Sequence, residues 1–106
     1  MRQWEIWKSK PAGFSGAHWF VILTPPERLA STRHYQANGL ACFSLRGSPT
    51  AVDVVLNSAE GFAHATVCQC DLIHVLAKGE CFDRIGEVSW ERQQQIRSRV
   101  KALFRL

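Results

Sequence analysis

HWFVILTP, residues 18–25, decides how the rest of this chain is read. Its five consecutive apolar residues, 19–23, are too few for a buried helix and rich enough in aromatic and branched side chains for a buried strand. The Thr-Pro-Pro that follows ends it, because proline has no N–H to give to a sheet ladder. We place the strand at residues 17–23. A histidine stands at its head, and His18 reads either as a strand-edge imidazole with ordinary hydrogen bonds or as an acid–base group.

Short apolar segments flank that strand on both sides. WEIW at residues 4–7 reads as a first strand, followed by a loop through Pro11, Gly13 and Gly16. After the prolines comes a polar connection with room for one helical turn. LACFSL (40–45), AVDVVL (51–56) and ATVCQC (65–70) are strand-like and separated by turn residues. Alternation in the second of these puts Asp53 on the opposite face from Val52 and Val54. LIHVL is a short apolar piece, and CFDRIG reads as an edge strand. From Trp90 the pattern changes: Ser89 stands at the N-cap, Glu91 lies in the first turn, and Ile96, Val100, Leu103 and Phe104 recur at helical spacing. Five or six short strands and one C-terminal amphipathic helix predict a mainly β protein with α, a small β-barrel with the helix packed on it.

Composition agrees with one domain over residues 1–106. A chain of 106 residues supports one core and not two. Apolar residues are 46% and charged ones 21%, an ordinary globular mixture. No run approaches the roughly 18 apolar residues of a membrane span, and MRQWEIWKSK lacks the apolar centre of a secretory signal. A cytoplasmic protein that meets no membrane is expected. The formal charge of +4 favours an anionic partner, nucleic acid or an acidic protein segment. Four cysteines in such a chain read as reduced thiols.

Taken in order, these landmarks resemble the PemK/MazF family of toxins from bacterial toxin–antitoxin pairs. QWEIW is similar to the family's Arg-Gly-Glu-Ile-Trp strand, with Trp4 in the glycine position. HWFVILTP resembles the second strand, which in the family begins Arg-Pro. LACFSLRGS resembles the third strand and its turn. GFAHATVCQCD matches a stretch that ends in Arg-Cys-Asp, and IGEVSWERQQQIRSRVKALF resembles the closing strand and helix. The likeness covers nearly the whole chain and is weakest at residues 27–38.

The resemblance implies an SH3-like barrel, usually a homodimer, that cuts single-stranded RNA without metal or other cofactor and is held by an acidic antitoxin protein. A base takes the ribose 2′-OH proton, the oxygen attacks the neighbouring phosphate, and an acid protonates the leaving 5′-oxygen. The expected products are a 2′,3′-cyclic phosphate and a 5′-OH. Asp71 closes the Arg-Cys-Asp match and is the implied general base; by itself it reads equally as a strand-end aspartate bonded to a turn. The arginine two residues before it is Gln69 here, which can bond a phosphate oxygen but carries no charge. His18 stands where the family has arginine, exchanging a fixed charge for a group that moves protons near neutral pH.

Arg46 falls at the family's turn threonine when Cys42 anchors the register; sliding by two brings Ser44 or Ser48 there instead. Arg46 reads either as the cation that replaces the lost arginines or as a solvated turn residue. In the short first loop only Lys8, Lys10 and Ser15 remain to meet RNA. The implied set is therefore Asp71, His18 and Arg46 for catalysis, and Gln69, Ser48, Lys8 and Lys10 for RNA.

Other groupings carry less. Cys68-x-Cys70, with His64 four residues before the first, lacks the paired spacing of zinc knuckles, so the thiols read as small buried hydrophobes and no metal is expected. Arg97, Lys101 and Arg105 share one face of the last helix, as solvated cations or as a surface for an acidic partner. Two alternatives to a ribonuclease stay open on the same fold: a gyrase poison, against which KALFRL lacks that branch's Trp-Gly-Ile ending, and a pseudo-enzyme that only binds a protein or nucleic acid.

Overall fold

The computed structural model describes residues 1–106. The chain runs β1 (Glu5–Ser9), β2 (His18–Ile22), α1 (Pro26–Ala30), β3 (Gln36–Ser44), β4 (Asp53–Leu56), β5 (Thr66–Gln69), β6 (His74–Ala77), β7 (Phe82–Glu87) and α2 (Trp90–Phe104). Single 3-10 turns at Ser58–Glu60 and Lys78–Glu80 link β4 to β5 and β6 to β7. All pairings are antiparallel, in the order β4-β5-β3-β2-β1-β7, and β6 joins β3 off that path. No helix is long and apolar enough to cross a membrane.

The uninterrupted apolar run of β2 has a direct cause: the strand is covered on both faces. Val21 joins Ile6, Leu40, Val54, Leu56 and Cys68 on one side, where Ile96 of α2 closes the core. Phe20 and Ile22 point the other way and pack with Ala41 and Leu76. Each such burial stabilises by about 1.5–3 kcal/mol. The central strand is thus fixed from two sides.

The sheet has seven strands where five or six were expected. LIHVL hides one of them: its last residues form β6, which pairs with residues 36–39 of β3. That pairing also starts β3 at Gln36, inside what reads as polar connection, with Ala37 and Gly39 buried. One edge of β3 therefore carries two partners, β6 at Gln36–Gly39 and β5 at Cys42–Ser44. The first strand begins one residue later than WEIW suggests, because Trp4 holds a left-handed backbone with φ 72°. A glycine would hold that conformation at little cost, having no Cβ.

No ladder joins the sheet's two ends, β4 and β7. The Ser58–Glu60 turn lies against β7 instead, so tightly that a Cβ on Gly61 or Gly86 would overlap the facing carbonyl of Ile85 or Glu60. Glu60 is buried there and accepts from the Asn57 amide at 2.9 Å and the Ser89 amide at 3.3 Å. Helix α2 starts at Ser89 as expected, but the Ser89 side chain makes no cap; Gln93 Nε2 instead donates to the Val88 carbonyl at 3.0 Å. The predicted apolar stripe is covered only in part: Ile96 is buried, while Leu103 and Phe104 are exposed.

Candidate functional site

A cavity of about 660 Å³ opens over β2, β3, β4 and β5, walled by the turn that follows β3. Register explains its composition. Trp19 pairs with Cys42, Cys42 with Cys68 and Cys68 with Val54, so one row of residues crosses four strands. Trp19 and Cys42 from that row reach the cavity, and Phe43 and Ser44 come from β3 beyond them. The next row on β4 and β5 pairs Asp53 with Gln69, and both line the cavity.

Four of the seven residues singled out in the sequence meet at this cavity: His18, Arg46, Ser48 and Gln69. The His18 ring lies against Phe43, with centroids 5.0 Å apart, and against Phe14 at 5.3 Å. Neither the His18 ring nor the Arg46 guanidinium has a hydrogen-bond or ion-pair partner in the protein, so both remain available to a ligand. Lys8 does not line the cavity, but its ammonium sits 5.2 Å from the centroid of Trp19, which does. Lys10 and Asp71 are exposed and line no part of it; Asp71 lies just past the end of β5.

The cavity also holds residues that the sequence did not single out for it. Asp53 is the only acidic residue in its wall, and its Oδ2 accepts from the Thr50 amide at 2.8 Å and the Thr50 hydroxyl at 3.0 Å. These bonds pin the turn that carries Arg46 and Ser48. From behind, Arg99 of α2 donates to the carbonyls of Ala51 and Asp53 at 2.6 and 2.8 Å. His64, exposed just before β5, is a second imidazole in the wall. The strand alternation already turned Asp53 away from its apolar neighbours, which was the available signal; for His64 the neighbouring cysteines drew attention to metal chemistry instead.

Those cysteines are packed as thiols. A hydrogen bond with Cys42 and burial push the Cys68 thiol well above its ordinary range, outweighing a bond with Cys70 that acts the other way. The bond with Cys68, and then burial, do the same to Cys70. Neutral thiols are poor metal ligands and poor nucleophiles.

No family profile matches the sequence and no curated protein matches it. Solved structures do match. An endoribonuclease in complex with its cognate antitoxin, from a mycobacterial species, superposes with a TM-score of 0.83 at 17% identity over 100% of this chain and 96% of that one. The fold is MazF-like. The Mycobacterium tuberculosis toxin MazF-mt6 matches with a TM-score of 0.79 at 17% identity, over 96% of this chain and 97% of that chain. MazF in a MazE-MazF structure from Deinococcus radiodurans gives 0.75 at 16% identity, over 99% and 95%. The MazF-like fold thus accounts for the chain from end to end, and the order of landmarks in the sequence pointed to it.

Proposed function

We propose that this chain is the toxin of a toxin–antitoxin pair and an endoribonuclease that cuts single-stranded RNA without a metal. The observation that carries the reading is the convergence of His18, His64, Arg46 and Gln69 on one cavity of a MazF-like fold. Two imidazoles supply a base and an acid. One accepts the 2′-OH proton as the oxygen attacks phosphorus; the other protonates the departing 5′-oxygen. The Arg46 guanidinium, free of protein partners, forks onto the phosphorane oxygens, and Gln69 and Ser48 add neutral donors. The products are a 2′,3′-cyclic phosphate and a 5′-OH.

Asp71 is the other candidate base. It would serve an RNA strand that leaves the cavity past the end of β5, and Lys8 and Lys10 would meet the phosphates of the flanking nucleotides. An acidic antitoxin segment suits the net charge of +4. A homodimer is part of the same reading, supported by apolar side chains left in solvent on the β6 edge, with Leu72 58% and Val75 55% exposed. The cytoplasm, where RNA is made and used, is the compartment this activity requires.

A second reading, a silent binder on the same fold, draws support from Gln69: it stands at a position implied to hold a cation and provides none. RNA incubated with the purified chain in EDTA separates the two. Cyclic-phosphate 3′ ends are expected; intact RNA across varied sequences, together with unimpaired growth on expression, would sink the ribonuclease reading.

A further inference from the structure

Asp53 carries a feature that the cleavage chemistry does not use. The residue is only 9% exposed, and while Oδ2 is held by Thr50, Oδ1 is buried with no hydrogen-bond partner. A buried acceptor left unpaired costs the desolvation of that atom. In the wall of a cavity, such an atom marks where a donor arrives. An ionised carboxylate only accepts, so the arriving group carries an N–H or O–H.

The surroundings specify that group further. Gln69 stands opposite Asp53 in the ladder, and its carboxamide makes no hydrogen bond to the protein. It presents a donor and an acceptor beside the orphan oxygen. Phe43, on the same face of the sheet as Gln69, offers a flat apolar ring in the same cavity, and Arg46 offers a cation for phosphate. A volume of about 660 Å³ falls within the range of about 300–1,000 Å³ that small-molecule sites occupy. Oδ1 has no exposed surface, so a ligand reaches it by displacing a neighbour, and the Gln69 side chain across the ladder, with no hydrogen bond to hold it, is free to move aside and bond the same ligand.

We propose that this cavity reads a nucleobase through its exocyclic amino group, which donates to Asp53 Oδ1, with Gln69 completing the edge and the ring stacked on Phe43. Cytosine, guanine and adenine satisfy this; uracil and hypoxanthine, which carry no exocyclic amino group, do not. The inference rests on the RNA reading above and adds the base that the site selects.

The test uses the isotope-labelled full chain titrated with cytidine, uridine, guanosine and inosine monophosphates, followed by amide shifts. Cytidine is expected to bind tighter than uridine, and guanosine tighter than inosine, by about tenfold, as befits one hydrogen bond to a charged acceptor. Asp53→Asn keeps an oxygen for Thr50 and turns an NH₂ to where Oδ1 was, so the preference should invert toward uridine. A purely structural role for Asp53 does not invert it. Equal affinities within both pairs overturn the proposal, and that comparison needs only the unaltered protein should Asp53→Asn fail to fold. An unchanged preference in Asp53→Asn also overturns it, leaving a bound water as the partner of Oδ1. RNA cleavage without discrimination at either pair removes the base reader and leaves the ribonuclease. Amino-selective binding without cleavage does the reverse.

Discussion

Arg84 Nε donates to Oε2 of Glu5 at 2.6 Å, across the ladder between β1 and β7. Trp7 Nε1 and the Arg2 amide meet the other oxygen of the same buried carboxylate, at 3.1 and 2.5 Å. Burial alone would raise the Glu5 carboxyl, but the bonds from Trp7, Arg2 and Arg84, and the charge of Arg84, hold it below its ordinary 4.5.

A depressed carboxyl stabilises the fold fully above its unfolded value, and that contribution is lost as pH falls through the lower folded value. Denaturant melts should therefore show stability declining below 4.5, the ordinary value for Glu5. His74 is half-buried against Phe14 and Phe20, and that partial burial pushes it below its ordinary 6.5. It acts in the same direction in a higher window, beginning near 6.5. Glu5→Gln should remove only the acid limb, costing about 1–3 kcal/mol at neutral pH, and His74→Phe only the upper one.

Trp4 couples a backbone penalty to a packing gain. Its φ of 72° disfavours a bulky residue, while its ring packs on the core and lies 5.3 Å from the Arg97 guanidinium. Trp4→Ala loses the packing and keeps the strain; Trp4→Gly loses the packing and releases it. Chemical denaturation should find both variants weaker than the parent, with the glycine variant the more stable of the two by about 1 kcal/mol.

Gly61 and Gly86 hold the contact between the 3-10 turn and β7. A methyl group at either meets a carbonyl that has nowhere to go, so Gly86→Ala should destabilise by about 3 kcal/mol. Gly79→Ala, with open space around it, should stay within about 0.5 kcal/mol of the parent. Thermal melting of the two variants side by side checks the difference.

For the proposed cleavage, His18→Asn should slow the reaction by about 10²–10⁴-fold, and Arg46→Ala by about 10²–10³-fold. His64→Asn and Asp71→Asn compete for the remaining role. Cavity geometry favours the larger loss in His64→Asn, read from single-turnover rates; a larger loss in Asp71→Asn would put the base at the end of β5.

The strands with clear apolar patterns and the last helix were legible, because burial writes its period into the sequence. β6 and the first half of β3 were not: HVLA and QANG are too short and mixed, and they acquire strand form by pairing with each other, Gly39 pairing also with Ile22 of β2. The wall of the candidate cavity was half legible for a similar reason. His18, Arg46, Ser48 and Gln69 lie on segments whose order alone placed them. For Asp53 the alternation of β4 gave its face, but its place in the cavity wall rests on the cross-strand pairing with Gln69, which no local pattern records.

The shared edge of β3 has a mechanical consequence. Residues 70–73 hinge two short strands along one long one, with Gln69 at one end of the hinge and His74 at the other. Cys70 is fully buried and its amide donates to the Val52 carbonyl at 2.9 Å, so the connection is anchored at its β5 end, and a pull on the exposed side chains of the outer strand strains the β6–β3 pairing before it reaches Gln69.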